Sequence, residues 1–431
     1  MSRTVRKQLF STVDLLRKTH KVLEGSLLKT QVDEQEVLGL LADMQEVAIS
    51  MGTMVEQVYG EGTQTVRELE HYCETLYQVT LALQNLPKSK NLLKRLKQQV
   101  GRICTQVGKE IPDRLEAVFL PYKASMWDSL ESIWKAAKED EEADTYVIPI
   151  PYFDRNPDTS LGAMHYEGAL FPEEVEVTDY NNYDFELRRP DIIFIHNPYD
   201  DGNYVTSVHP YFYSENLKKF TEKLVYVPYF VGAGDGVPEG MALAKGVWNA
   251  DYVIVQSEEE KQSYIQHFKN NYPQVDIADK LLPLGSPKFD KVHAVSRGDV
   301  VIPEAWKEKA GGRKVILYNT SLSCMLNGNE AYIEKLGRVF DFFTGREDAV
   351  LLWRPHPLME TTFASMRPEL YGRYQRLRDR FIDEEIGIYD DSSDMYPAIG
   401  FSDAYYGDWS SLVWLYRETG KPVMIQDVNV E

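Results

Sequence analysis

The chain has 431 residues, 43% of them hydrophobic, and carries a formal charge of −20 at pH 7. That is enough apolar material for two or three domains with separate cores, and an acidity that excludes a nucleic-acid partner, whose phosphates would be repelled over most of the surface. Cys73, Cys104 and Cys324 lie far apart with no CxxC spacing, so neither a disulfide framework nor a metal site is expected. No apolar run reaches the ~18 residues of a membrane span, and the N-terminus lacks a signal-like apolar segment, so the sequence predicts a cytoplasmic protein.

Residues 1–110 read as helical throughout. Val37, Leu41, Met44, Ala48, Met51, Val55 and Val58 step by four and three, the a/d seam of a coiled coil or an antiparallel helical hairpin. Asp33 with Glu36 reads as a capping box at its start, and Gly60 with Gly62 ends it. Leu69, Cys73, Leu76, Thr80 and Leu83 line a second helix. A seam of this kind closes inside a bundle or joins two copies, so a homo-oligomer through these helices is one expectation. Residues 88–102 are basic and amphipathic with no acidic residue. They suit either peripheral contact with the inner face of an anionic membrane or the solvated side of a bundle.

From residue 111 the pattern changes to short apolar runs separated by polar or helical segments. The runs fall at 117–122, 146–150, 191–196, 223–228 and 251–255, and, after a break at Leu284-Gly285-Ser286-Pro287, at 314–318, 349–353, 386–389, 404–406 and 422–425. Continuous β-rich runs are strands of parallel sheets buried on both faces. The expected fold class is α/β, with two Rossmann-like domains, 111–284 and 285–431, facing across a cleft and preceded by the all-α domain. Neither half carries GxGxxG after its first strand, so no NAD or FAD is expected and no cofactor is assigned.

Chemistry concentrates at two predicted strand ends. Leu351-Leu352-Trp353-Arg354-Pro355-His356-Pro357 is an apolar strand ending in a cation and an imidazole. Gly407-Asp408-Trp409-Ser410-Ser411 is a hydroxyl-rich turn opening a helix. Helix starts offer unpaired N–H groups and partial positive charge, which suits a phosphate, and Arg354 and His356 supply further neutralisation. Together they read as a site for a nucleotide diphosphate. The plainer alternatives are a helix N-cap at Ser410-Ser411 and a core histidine at His356.

The order helix, strand, Asp-x-Ser-Ser, helix, Lys-Pro-strand over 394–425 resembles the bacterial CDP-glycerol glycerophosphotransferases, the teichoic-acid polymerase and primase type with a GT-B-like fold. The resemblance also covers Arg354-Pro355-His356-Pro357, Ile316-Leu317-Tyr318-Asn319-Thr320-Ser321, and Leu284-Gly285-Ser286-Pro287-Lys288-Phe289-Asp290, four elements in the family's order across 285–425. It implies that Asp408, Ser410 and Ser411 sit on the donor phosphates and glycerol. Arg354 and His356 would line the diphosphate and stabilise charge on the departing CMP, with Thr320 and Ser321 also on the donor side. The implied co-substrate is CDP-glycerol or a related CDP-polyol, and the implied acceptor a hydroxyl of a cell-envelope glycan or glycolipid.

The first α/β half departs from that family. A His-Gly-Thr-Pro element is expected after a strand, but Leu224 to Pro228 leads into Tyr229-Phe230-Val231-Gly232-Ala233-Gly234-Asp235-Gly236, with no histidine. The base is therefore open, with His196, His209 and Asp235 as candidates, because an imidazole near its pKa suits proton abstraction. Gly232 and Gly234 would let backbone approach an acceptor. Lys123 would meet an anionic acceptor, and Asp128 would cap the following helix. Asp200-Asp201 reads as a solvated turn. Two rival readings remain: a nucleotide-sugar glycosyltransferase using the same phosphate site, and a non-catalytic nucleotide-binding scaffold.

Overall fold

The computed structural model describes residues 2–27, 33–232, 236–296, 300–392 and 394–426. Four helices, α1 (Arg3–Leu27), α2 (Glu34–Tyr59), α3 (Gln64–Leu81) and α4 (Leu86–Glu110), close into an antiparallel bundle. Asp33 accepts the N–H groups of Gln35 and Glu36, capping α2, and Gly60 ends it at a positive φ that a side chain would strain. Val37, Leu41, Met44, Ala48, Met51 and Val55 are all buried against the other three helices. The seam is therefore consumed within one chain, as the packed-bundle reading of its spacing requires. Leu93, Leu96, Val100, Ile103 and Val107 of α4 are buried in the same core. An apolar face already spent on neighbouring helices cannot insert into lipid, so residues 88–102 are the solvated side of the bundle.

The bundle stands end-on against the body. The Arg3 N–H donates to Asp191 (3.1 Å), the Arg3 guanidinium pairs with Asp113 and Glu142, and Arg6 donates to the Ile111 carbonyl (2.8 Å). Asp191 also takes the N–H of Glu116 at 2.9 Å, so the contact lies where the first strands begin.

Those strands build a six-stranded parallel sheet: β1 (Leu115–Leu120), β2 (Ala143–Val147), β5 (Ile192–Ile195), β7 (Lys223–Tyr226), β8 (Tyr252–Val255) and β9 (Leu281–Pro283), ordered β2-β1-β5-β7-β8-β9. Ala117 and Phe119 enter one core and Val118 and Leu120 another, as a strand covered on both faces requires. A small antiparallel sheet, β3 (Tyr152–Arg155), β4 (Leu161–His165) and β6 (Thr206–Val208), was not read from the sequence, because its strands are short, half-exposed and polar.

A second parallel sheet has five strands, β10 (Lys314–Thr320), β11 (Ala349–Pro355), β12 (Ile388–Tyr389), β13 (Ala404–Gly407) and β14 (Val423–Ile425), ordered β12-β11-β10-β13-β14. The chain builds outward from β10 to one side and then returns to the other, so order reverses between β10 and β13. In the first sheet it reverses between β1 and β5. Crevices at the carboxyl ends of such strand pairs are where open α/β sheets hold ligands.

The two halves meet through a buried junction. Lys288, in the Pro287–Ser296 helix, donates to both oxygens of Asp128 at 2.7 Å, and the Tyr396 hydroxyl donates to Asp128 Oδ2 at 2.7 Å. Lys291 pairs with Glu131 of α5 (Glu131–Glu139) at 2.8 Å. Asp128 thus joins the two halves instead of capping a helix, because Leu130 occupies the N-cap position of α5.

Candidate functional site

The carboxyl edge of the five-stranded sheet gathers Asn319 and Thr320 of β10 with Ser321 after it, Arg354 of β11 with His356 just beyond, and Asp408 to Ser411 in the turn that follows β13. Gly407 lies opposite Asn319 in the ladder, and a Cβ there would sit 2.3 Å from the Asn319 carbonyl oxygen. Only glycine lets the two strands approach so closely, and that approach delivers the following turn to the end of β10.

Asp408 is fully buried. It pairs with Lys335, accepts the Ser321 N–H at 2.7 Å, and gives its own N–H to the Asn319 carbonyl. Burial pushes its carboxyl above the usual range, against the pull of Lys335 and the Ser321 amide. The expectation that Asp408 contacts phosphate is corrected, because a buried carboxylate already paired is the wrong sign and out of reach. Its work is to tie β13 to Ser321. Ser321 is the N-cap of the Leu322–Phe343 helix and accepts the Cys324 N–H at 3.2 Å. Thr320 is also fully buried, its hydroxyl accepting from the Trp353 indole at 3.1 Å, so it braces strands and does not face a ligand. Ser410 is half-buried, with Oγ taking the Asn319 side-chain N–H at 3.0 Å, and Ser411 is exposed.

Arg354 departs from expectation in the same way. Its guanidinium is buried, paired with Asp390, and bonded to the Ser392 hydroxyl (3.2 Å) and carbonyl (2.8 Å). It anchors the loop after β12, whose far end carries Tyr396 to the junction on Asp128. Strand geometry explains the reversal: alternate residues of β11 face opposite ways, and Arg354 meets the acidic end of neighbouring β12.

His356 is where a donor group remains presented. Its backbone N–H donates to the Thr320 carbonyl (3.0 Å) and its Nδ1 accepts the Leu358 N–H (3.1 Å). An Nδ1 that accepts is unprotonated, so the neutral ring carries its hydrogen on Nε2. The ring is half-buried, and burial lowers its pKa below 6.5. At neutral pH it is an uncharged N–H donor, suited to an anionic oxygen and unsuited to removing a proton through Nε2. Backbone bonds through Thr320 and Ser321, and the Asn319 side chain, link His356, Ser321 and Ser410 into one network.

At the carboxyl edge of the six-stranded sheet, the described residues fill the crevice between β1 and β5. His196 follows β5 with no exposed surface; Nε2 accepts the Tyr122 N–H (3.1 Å) and Nδ1 meets the Ser129 hydroxyl (3.0 Å). Burial drives its pKa down to about 3. Both nitrogens are engaged and no face is exposed, so the expectation of His196 as base is corrected: it bridges β1 and β5 across their switch point. His209 is exposed, and its Nδ1 caps a short turn by accepting the Tyr211 N–H at 3.2 Å. Lys123 lies over the rings of Tyr152 (4.9 Å) and Tyr122 (5.5 Å), half-buried at the end of β1. The Gly232 N–H donates to the Gln256 side chain at 2.9 Å. Gly234 and Asp235 lie outside the described residues.

Lys335, Asn319, Asp390 and Ser392 hold this edge together and were not singled out from the sequence. Lys335 carried a usable signal, being a lone cation on an otherwise apolar helical stripe with Tyr332, Leu336 and Val339. Among the described residues, no cluster of His, Cys, Asp and Glu is placed to hold a metal ion. A cavity of about 610 Å³ lies on the apolar sheet face between β13, β14 and Phe342 and reaches Gln426 just beyond β14; His356, Ser321 and Ser410 do not line it.

No protein family and no curated relative matches the chain. Among solved structures it is similar to the wall teichoic acid polymerase TagF, at 12% identity over 85% of this chain and 79% of that one, TM-score 0.40. A second TagF structure, soaked with CDPG, matches at 14% over 83% and 79%, TM-score 0.37. A UDP-GlcNAc 2-epimerase from Neisseria meningitidis, bound to UDP-GlcNAc, matches at 12% over 72% and 82%, TM-score 0.42. At these identities and scores the likeness carries no argument about activity.

Proposed function

We infer that the protein transfers glycerol phosphate, or a related polyol phosphate, from a CDP-activated donor to a hydroxyl of a cell-envelope glycan or glycolipid. The reading is carried by the meeting of His356, Ser321 and Ser410 at the switch point of the five-stranded sheet, on a frame held by the buried Lys335–Asp408 pair. In such a transfer the acceptor oxygen bonds to the phosphorus bearing the polyol. The bridging P–O bond breaks, CMP departs with the bridging oxygen, and the proton of the acceptor hydroxyl is released to solvent. Little covalent work falls to the protein; positioning and neutralising the departing phosphate matter most. The His356 Nε2–H is suited to that phosphate, with serine hydroxyls and the start of the Leu322–Phe343 helix beside it. Lys123 is assigned to the acceptor side. On this reading membrane approach rests on charge alone, through the exposed lysines and arginines of α1 and α4.

The test is incubation of the full chain with CDP-glycerol, other CDP-polyols and nucleotide sugars in the presence of glycan and glycolipid acceptors, reading the nucleotide released. CMP is the expected product. Release of nucleoside diphosphates alone makes the protein a glycosyltransferase, and binding without release makes it a scaffold.

A further inference from the structure

We propose that the side of the helical bundle formed by α2 and α3 is a docking groove for a basic amphipathic helix of another protein. The observations are independent of the transfer reaction, since the bundle meets the body by its end, at the amino-terminal edge of the first sheet.

The four helices divide their charge by side. α1 and α4 together carry thirteen Lys or Arg against three acidic residues. α2 carries five acidic residues and no Lys or Arg, and α3 three acidic residues and a single Arg. Along the acidic side runs an open groove of about 450 Å³, lined by Ala48 and Gly52. Ile49 and Tyr77 stand at its mouth, 55% and 54% exposed, and Glu56, Glu70 and Glu74 line it. An apolar slot between acidic helices is complementary to a helix presenting apolar side chains at i, i+3 or i+4 and i+7, flanked by Lys or Arg. The other occupants fit worse. Anionic lipid would be repelled by the carboxylates, and the basic helices α1 and α4 of a second copy keep most of their apolar residues in their own bundle core, α1 showing only Leu15 and Val22.

The test uses the full chain and a display library of amphipathic helical peptides about five turns long, with Lys, Arg, Asp, Glu and Gln allowed at the flanking positions. Selected peptides are expected to be enriched in Lys and Arg at the flanks. Their binding should weaken at least ~10-fold in Ile49→Asp and in the Glu70→Lys/Glu74→Lys variant, and weaken with added salt. All three positions are exposed, so the variants should keep the thermal midpoint of the parent, which is measured alongside. Recovery of no binder, absence of a basic bias, or undiminished binding to Ile49→Asp would each overturn the proposal.

Discussion

The two parallel sheets have the same kind of switch point and use it in opposite ways. Between β1 and β5 the crevice is filled by His196, whose two nitrogens are spent on Tyr122 and Ser129. Between β10 and β13 buried pairs lie underneath, and His356, Ser410 and Ser411 are left at the surface of the edge. An imidazole at a strand end is therefore no guide to chemistry by itself. What decides its role is whether neighbouring backbone consumes one nitrogen, as Leu358 does for His356, or both nitrogens are taken, as in His196.

The contrast can be broken most forcefully at the frame. Lys335→Met leaves Asp408 buried without its cation and is expected to cost about 3–5 kcal/mol, read as a fall in unfolding midpoint in denaturant. The double variant Lys335→Met/Asp408→Leu should recover much of that loss; equal destabilisation of both would show that the pair matters for packing instead of charge.

At the closed switch point, His196→Ala strands the Tyr122 N–H and opens a cavity, an expected cost of about 2–4 kcal/mol. The pH dependence sharpens this. His196 is depressed from an ordinary 6.5 to about 3, so its neutral ring contributes fully above pH 6.5, and that contribution is lost as pH falls toward 3. Within that window the unfolded state binds a proton that the folded state does not, so stability should fall by about 1.4 kcal/mol per pH unit. His196→Ala should flatten that slope; an unchanged slope would remove His196 from the account. His20, buried beside Tyr72 and lowered to about 4, adds to the same trend in both proteins.

At the open switch point, His356→Ala should reduce the catalytic efficiency for the CDP-activated donor by roughly 10- to 100-fold, the worth of a hydrogen bond to a charged group. The thermal midpoint should hardly move, since the ring is only half-buried. His356→Gln, which keeps an N–H donor, should recover part of the loss. A rate climbing with pH through the His356 pKa in the wild type, and not in His356→Gln, would make the ring a base and overturn the donor role. The smallest effect is expected at Ser410→Ala, a few-fold in donor affinity at a cost of about 1 kcal/mol.

Much of this was legible because local pattern and tertiary environment agree. The Val37–Val55 stripe is buried as its spacing requires, and the apolar runs at 117–120 and 349–353 became central strands covered on both faces. The candidate site was legible only as a location. Arg354, Asp408, His196 and Thr320 stand at strand ends as the sequence indicates, yet each is turned inward by a partner distant in sequence: Asp390, Lys335, Tyr122 and Trp353. Spacing along a strand tells which side a residue faces, not whether an opposite charge already waits there.

The sequence by itself determined the helical, parallel α/β and second α/β order, and where the strand ends carry polar groups, because periodicity and turn chemistry are local properties of the chain. Only the tertiary structure decided that the heptad seam closes within one molecule and that Asp128 links the two halves. It also decided that, of the histidines at the two switch points, His356 alone keeps a side to offer. Those outcomes depend on which distant groups compete for the same hydrogen bonds, a competition that exists only once the chain has folded.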